Sequence, residues 1–216
     1  MKLKTKFPPA SMANKDGLLA VSRNISRDML LSAYLSGIFP WPCDESCVLW
    51  FAPPRRAVLD FSEFRASKKL LRQIGGRGYH LEVNCRFQEV IRSCASQSRP
   101  GQDGTWITPE IIKAYADLKE AGFAASFECV DSEGRLAGGL YGVLLGRYFS
   151  GESMFHHQPD ASKFALVELV KWLQARGLSW LDAQSMTPLL ARFGAKELPR
   201  KEFMARIKAD SFIPDA

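Results

Sequence analysis

The stretch from residue 124 to 184 leaves the chain few ways to fold. It runs AASFECV, DSEG, RLAGGLYGVLL, a glycine at 146, RYFSGESMF, then DASKFALVELVKWLQARG and LSWLDAQ. The first three apolar runs are short and are split by turn residues, so the spacing predicts three antiparallel strands. The next segment carries apolar residues at helical spacing between an expected cap, Asp160, and a stop, Gly177. LSWLDAQ reads as one more strand.

The flanking segments fill in the rest. SRDMLLSAYLS predicts a helix with Ser26 as N-cap and Gly37 as its end. GIFPWP and LWFAPPRRAVL are too proline-rich for helices, and an irregular loop anchored on a small satellite core is expected there. That region is dense in rings, with Tyr34, Phe39, Trp41, Trp50 and Phe51 inside eighteen residues. HLEVN predicts a strand and RFQEVIRSC a helix with Phe87, Val90, Ile91 and Cys94 on one face. TPEIIKAYADLKEAG predicts a helix with Thr108 as cap, Pro109 in the first turn and Gly122 past the end. TPLLARFG predicts a short capped helix, and a last one begins near Pro199.

This order gives an α+β class. The expected architecture is an acyl-CoA N-acetyltransferase-like (GNAT-like) C-terminal domain, residues 79–216, after a smaller N-terminal α/β domain, residues 1–78. Acetyltransferases of that type hold the coenzyme pyrophosphate on backbone amides of a glycine-rich loop opening the helix after the central strand. Here the loop is FHHQPDAS, with no glycine and with an acid at the cap position. No coenzyme site is expected.

No apolar run reaches membrane-spanning length, and the N-terminus MKLKTKFPPA lacks the apolar region of a signal peptide. Five irregularly spaced cysteines, at 43, 47, 85, 94 and 129, fit thiols in a reducing compartment better than a disulfide framework. A cytoplasmic monomer with no membrane partner is expected. The net charge of +6 is unevenly spread: RASKKLLRQIGGR, from Arg65 to Arg77, has five cations and no acid. In a helix Arg65, Lys69 and Arg72 share a face while Leu70, Leu71 and Ile74 turn inward. Such a stripe suits either a phosphate backbone or plain solvent.

Several common sites are excluded by their missing parts. There is no GxxxxGK[ST], and GGLYGVLLG is a strand with glycines rather than a strand–turn–helix fingerprint. Three histidines, two of them adjacent at 156 and 157, and no Cys-x-x-Cys make a zinc site a poor reading. Ser153 in GESMF lacks the second glycine of a nucleophile elbow. What remains is Glu152 near the end of one strand and Asp182 with Gln184 at the end of another. Asp182 and Gln184 are two apart and share a strand face. If the two strands are neighbours, the three groups converge, beside a wall of Leu140, Phe149, Met154, Leu166 and Leu181. The bland alternatives are a helix cap for Asp182 and a surface ion pair, with Lys163 or an arginine, for Glu152.

The motifs GIFPW, LWFxPxxRAVL, GTWIT, GGLYGV, GESMF, the ASK-hydrophobic helix, LDxQ and LxxxGAxELPR occur in that order from about residue 16 to 207. In this the chain resembles the leucyl/phenylalanyl-tRNA–protein transferases. The resemblance implies an N-degron-pathway enzyme that moves Leu, Phe or Met from aminoacyl-tRNA to proteins beginning with Arg or Lys, without ATP, metal or cofactor. It implies a polar centre of Glu152, Asp182 and Gln184. Leu140, Phe149, Met154, Leu166, Leu169 and Leu181 would form the side-chain pocket. Tyr34, Trp41 and Trp106 would lie near the tRNA 3′ end and the acceptor. Arg65, Lys68, Lys69 and Arg72 would lie along the tRNA backbone. The chain departs from the family pattern at residues 22–25 (SRNI), at APPRR and at FHHQPD. Two other classes stay open here: a different acyl or aminoacyl transferase on the same fold, and a non-catalytic RNA-binding protein that kept it.

Overall fold

The computed structural model describes residues 5–44, 47–97 and 105–213, the side chains of 42–44 excepted. The side chain of Cys43 and the glycine of GTWIT lie outside that set. The described strands are β1 (Leu18–Ser22), β2 (Phe39–Asp44), β3 (Cys47–Phe51), β4 (Arg55–Asp60), β5 (His80–Val83), β6 (Ala124–Val130), β7 (Leu136–Leu145), β8 (Tyr148–His156), β9 (Trp180–Gln184) and β10 (Lys196–Pro199). The helices are α1 (Arg27–Leu35), α2 (Lys68–Gly75), α3 (Phe87–Ser96), α4 (Pro109–Glu120), α5 (Ala161–Gln174), α6 (Pro188–Arg192) and α7 (Arg200–Asp210). The α+β expectation holds, with the β6–β7–β8 meander, α5 and β9 in the expected order.

A three-stranded sheet has the order β1-β3-β2, and a seven-stranded sheet the order β10-β4-β9-β8-β7-β6-β5. Neighbours in the large sheet run antiparallel except β8 and β9, which are parallel and paired at Ser150 and Asp182. A parallel pair needs a crossover, and α5 provides it. The mixed large sheet of the C-terminal part comes from this meander and crossover.

One expectation for the N-terminal third needs correction. The proline-rich segments are strands, not an irregular loop. β2 is an edge of the small sheet, and an edge strand tolerates Pro40 and Pro42 because one side of it needs no N–H donor. β4 lies inside the large sheet, between β9 and β10. One apolar cluster runs through both sheets, joining Trp50 and Phe39 to Tyr141, Tyr148 and Trp180. A second cluster lies between the large sheet and α5, with Leu140, Phe149, Leu166, Leu169 and Leu181 in it.

The helix signals behave as chemistry predicts, with one exception. Ser26, Thr108 and Thr187 each accept a hydrogen bond from the backbone three residues on. Asp160 precedes α5 in a left-handed conformation and makes no cap bond. Its carboxylate goes instead to Lys163 Nζ at 2.6 Å and Arg77 at 3.6 Å. The rest of that loop is tied down: Gln158 donates to Asp131 at 2.6 Å, and Tyr79 OH donates to the Pro159 carbonyl at 3.0 Å.

Candidate functional site

Glu152 owes its position to an irregularity in β8. Tyr141 of β7 pairs with Ser153, and Gly142 pairs with Gly151, so Glu152 is the extra residue of a β-bulge. A bulge re-aims one side chain and flips the facing pattern on either side of it. Before it, Tyr148 belongs to the cluster on the α4 side; after it, Met154 packs toward α5 and Phe155 toward α4. Gly142 makes the bulge possible, because a Cβ there would collide with the Ser150 carbonyl and the Phe149 ring.

The bulge brings Glu152 to four polar groups. Gln184 Nε2 donates to Glu152 Oε1 at 2.9 Å and Ser150 Oγ donates to the same oxygen at 3.1 Å. Tyr115 OH donates to Oε2 at 3.0 Å, and the Tyr115 and Tyr34 hydroxyls are 2.5 Å apart. The residue keeps partial exposure while this ring of donors encloses its carboxylate. Burial pushes Glu152 up to about 7; bonds from Tyr34, Gln184 and Tyr115 work against that rise, and the negative charge of Asp182 adds to it. Tyr34 and Tyr115 are raised well above the usual phenol range, chiefly by burial and then by the Glu152 charge.

Asp182 sits in a different setting. It is fully buried, and Arg56, 1% exposed, grips it through two bonds: Nε to Oδ1 at 2.8 Å and Nη2 to Oδ2 at 2.6 Å. Tyr148 OH donates to Oδ2 at 2.6 Å, and the backbone N–H of Gln184 donates to Oδ1 at 2.9 Å. Neither bland alternative survives: Asp182 caps no helix, and Lys163 pairs with Asp160 rather than with Glu152. Gln184 adopts φ of 59°, left-handed for a non-glycine residue.

The structure brings Glu152, Asp182 and Gln184 together on the sheet face turned toward α1 and α4. The six apolar residues lie together as well, but across the sheet: Leu140, Phe149, Leu166, Leus 169 and 181 are core, with Met154 half-buried beside them. Trp41, 39% exposed, stacks on Trp106 with centroids 5.8 Å apart and planes 17° apart. Tyr34 is not with them, being wholly buried at Tyr115. Lys68, Lys69 and Arg72 are exposed on α2, and no described residue pairs with them. Arg65 precedes the helix, and Leu71 is exposed rather than turned inward. Ser67, the helix cap, explains this: the helix begins three residues later than the basic run.

Sequence reasoning missed Arg56, Tyr115, Tyr148 and Ser150 as members of the centre. A signal existed for two of them. Arg56 is a charge followed by the apolar run AVL, and Tyr115 is a hydroxyl on the buried stripe of α4 beside Ile111 and Leu118. Among the described residues, no three His, Cys, Asp or Glu are grouped to hold a metal ion, and no helix is long and apolar enough to cross a membrane. A surface cavity of 460 Å³ at the ends of α1 and α4 is lined by Ser26, Asp28, Asp117 and Glu120 and touches none of these groups.

Comparison with known proteins completes the picture. Among solved structures the chain is similar to L-PGS from Bacillus licheniformis (TM-score 0.42, 15% identical, 76% of this chain and 52% of that one). It is similar too to the GCN5-related glucosamine N-acetyltransferase region of a fungal β-N-acetylglucosaminidase (TM-score 0.47, 12% identical, 84% and 23%). A leucyl/phenylalanyl-tRNA–protein transferase of Anaeromyxobacter sp. (strain Fw109-5) is 49% identical over 93% of this chain and 85% of its own length. One from Chromobacterium violaceum is 45% identical over 94% and 87%. The family model for leucyl/phenylalanyl-tRNA protein transferase matches residues 58–208, and the model for its N-terminal domain matches residues 23–54. This chain, with its polar centre on β8 and β9, belongs to the leucyl/phenylalanyl-tRNA–protein transferase family and is an aminoacyltransferase.

Proposed function

We propose that the protein transfers Leu, Phe or Met from aminoacyl-tRNA to the α-amine of proteins beginning with Arg or Lys, marking them for N-degron turnover. The observation that carries this reading is the convergence of Gln184 and a Glu152 raised to about 7 on one enclosed spot. Aminoacyl transfer needs little else. The donor is an activated ester, and the acceptor amine has a pKa of roughly 8, so part of it is neutral at pH 7.

The reaction forms a bond from the acceptor nitrogen to the ester carbonyl carbon and breaks the bond from that carbon to the ribose oxygen. The nitrogen loses a proton and the ribose oxygen gains one. A group poised near neutrality is suited to take the first and return the second, because the best acid–base catalyst titrates near the working pH. Glu152 fits that role. Gln184 donates its amide N–H to Glu152, and among the described residues nothing engages its carbonyl oxygen. That oxygen is free to accept from the attacking amine and orient it. The apolar cluster across the sheet would accept the transferred side chain where β8 and β9, parallel and paired at a single point, diverge. Stacked Trp41 and Trp106 offer a platform for the tRNA end, and α2 offers cations for its backbone. The same fold division supports a boundary near residue 54, where the small sheet gives way to β4.

The test is mass spectrometry of an Arg-initiated peptide after incubation with the protein and Phe-tRNA, without ATP, beside a Glu-initiated control. Gain of one Phe on the Arg peptide alone is expected. No gain with Phe-, Leu- or Met-tRNA would overturn the reading. In the same assay a Lys68→Glu, Arg72→Glu variant should show a raised KM for tRNA and a shallower dependence on salt. An unchanged salt slope would make α2 a solvated face.

A further inference from the structure

Asp182 is counted with the reacting groups, but its geometry leaves it no reacting proton to handle. Oδ1 accepts from Arg56 Nε at 2.8 Å and from the Gln184 backbone at 2.9 Å. Oδ2 accepts from Arg56 Nη2 and from Tyr148 OH, both at 2.6 Å, and from Ser150 Oγ at 3.4 Å. A carboxylate has about four lone-pair positions, and these bonds fill them. Whatever Asp182 contributes must therefore pass through the groups it holds; of these Gln184 and Ser150 both reach Glu152, and Gln184 does so by the shorter bonds, 2.9 Å on each side.

Arg56 decides where that carboxylate stands. Its guanidinium lies over the Phe39 ring at 4.3 Å and over the Phe203 ring at 4.7 Å, so β2 of the small sheet and α7 both bracket it. The pair is sealed, at 1% and 0% side-chain exposure. A sealed ion pair is a weak device for stability alone, since well-packed apolar residues often replace one without loss. What apolar residues would not supply is an oxygen aimed at the Gln184 N–H. That bond sits at the left-handed residue where β9 ends and turns the Gln184 amide toward Glu152. Lysine would not substitute, because a single ammonium does not hold both carboxylate oxygens in one plane.

We infer that Arg56 is a positioning residue for the transfer reaction: by clamping both oxygens of Asp182 it fixes the backbone of Gln184 and so aims the amide that meets the amine. The inference rests on the proposed transfer reading and adds a residue to it. It makes Asp182 an anchor rather than a base. It also ties the small sheet and the C-terminal helix, through Phe39 and Phe203, to the geometry at the sheet's centre.

The experiment is a double-mutant cycle read in single turnover with Phe-tRNA and an Arg-initiated peptide, using the full chain. Arg56→Lys should lower kcat by on the order of 10- to 100-fold, the cost of a misplacement of about an ångström, with KM for tRNA unchanged. In a Gln184→Ala background the same change should cost nothing further, because the group it aims is gone. Phe39→Leu, which loosens the guanidinium without removing its charge, gives a second arm if Arg56→Lys does not fold. Its smaller loss should also vanish in the Gln184→Ala background. Full kcat in Arg56→Lys, or losses that add in either cycle, would overturn the inference while wild-type transfer still stands. A wild-type protein without transfer would instead bring down the reading beneath it.

Discussion

The two carboxylates of the site lie on neighbouring strands, both enter from largely apolar sequence, and they meet opposite fates. On β9, Asp182 faces a guanidinium and three further donors, all in place and all buried. On β8, Glu152 faces no cation among the described residues, only the hydroxyls of Tyr34, Tyr115 and Ser150 and the Gln184 amide, and burial lifts it to about 7. One strand carries a carboxylate clamped by a guanidinium; the other carries a group free to change its protonation near neutral pH. The lesson is that residue type alone does not decide what a buried carboxylate does. The partners that tertiary packing sets around it do.

The sharpest way to break this comparison is Asp182→Ala. It leaves Arg56 buried without its anion, and loss of about 3–5 kcal/mol in urea denaturation is expected. A loss no larger than an exposed pair gives, about 1 kcal/mol or less, would mean the pair is not the anchor described.

Glu152→Gln should act the other way round. Turnover should fall by about 10²–10⁴ with the fold intact. Stability also carries a sign. The Glu152 carboxyl titrates at about 7 in the folded chain against 4.5 ordinarily. The folded state therefore holds its proton more tightly, and this group's contribution to stability declines as pH rises from below 4.5 through 7. At about 1.4 kcal/mol per pH unit the whole change is on the order of 3 kcal/mol. Measured from pH 5 to 8, Glu152→Gln should lack that decline and overtake the wild type at the upper end. Parallel curves would show that burial does not control Glu152.

The smallest effect belongs to Tyr115→Phe. Removing one donor from the Glu152 carboxylate should raise its pKa further and carry the rising limb of kcat/KM to higher pH. Activity at pH 7 should fall by on the order of 10-fold, the effect of losing a single hydrogen bond to a charged group at the lower end of about 1.5–3 kcal/mol. A limb that stays in place would detach Tyr115 from the titrating group.

Much of this was legible in advance, for local reasons. The periodicity of residues 124–184, the caps at Ser26 and Thr108 and the glycine stops report short-range sterics and hydrogen bonding, which act within a few residues. The ordered motifs pointed to Glu152, Asp182 and Gln184, and strand alternation put the last two on one face. The proline-rich strands were missed because an edge position, not composition, is what allows proline there. Asp160 looked like a cap by position alone, and its left-handed backbone and its pairing with Lys163 overrode that signal.

By itself, then, the sequence determined the order of the elements from residue 124 to 184 and the capped starts of α1, α4 and α6, all of which depend on neighbours along the chain. The tertiary structure decided the rest. It placed Arg56 against Asp182, 126 positions away in the chain, and set Tyr115 and Tyr34 around Glu152. It also introduced the bulge that turns Glu152 to the face opposite Met154. Those contacts arise from strand order and from a single slip in register between β7 and β8. Neither is written in any short stretch of residues, since each exists only when distant segments pack together.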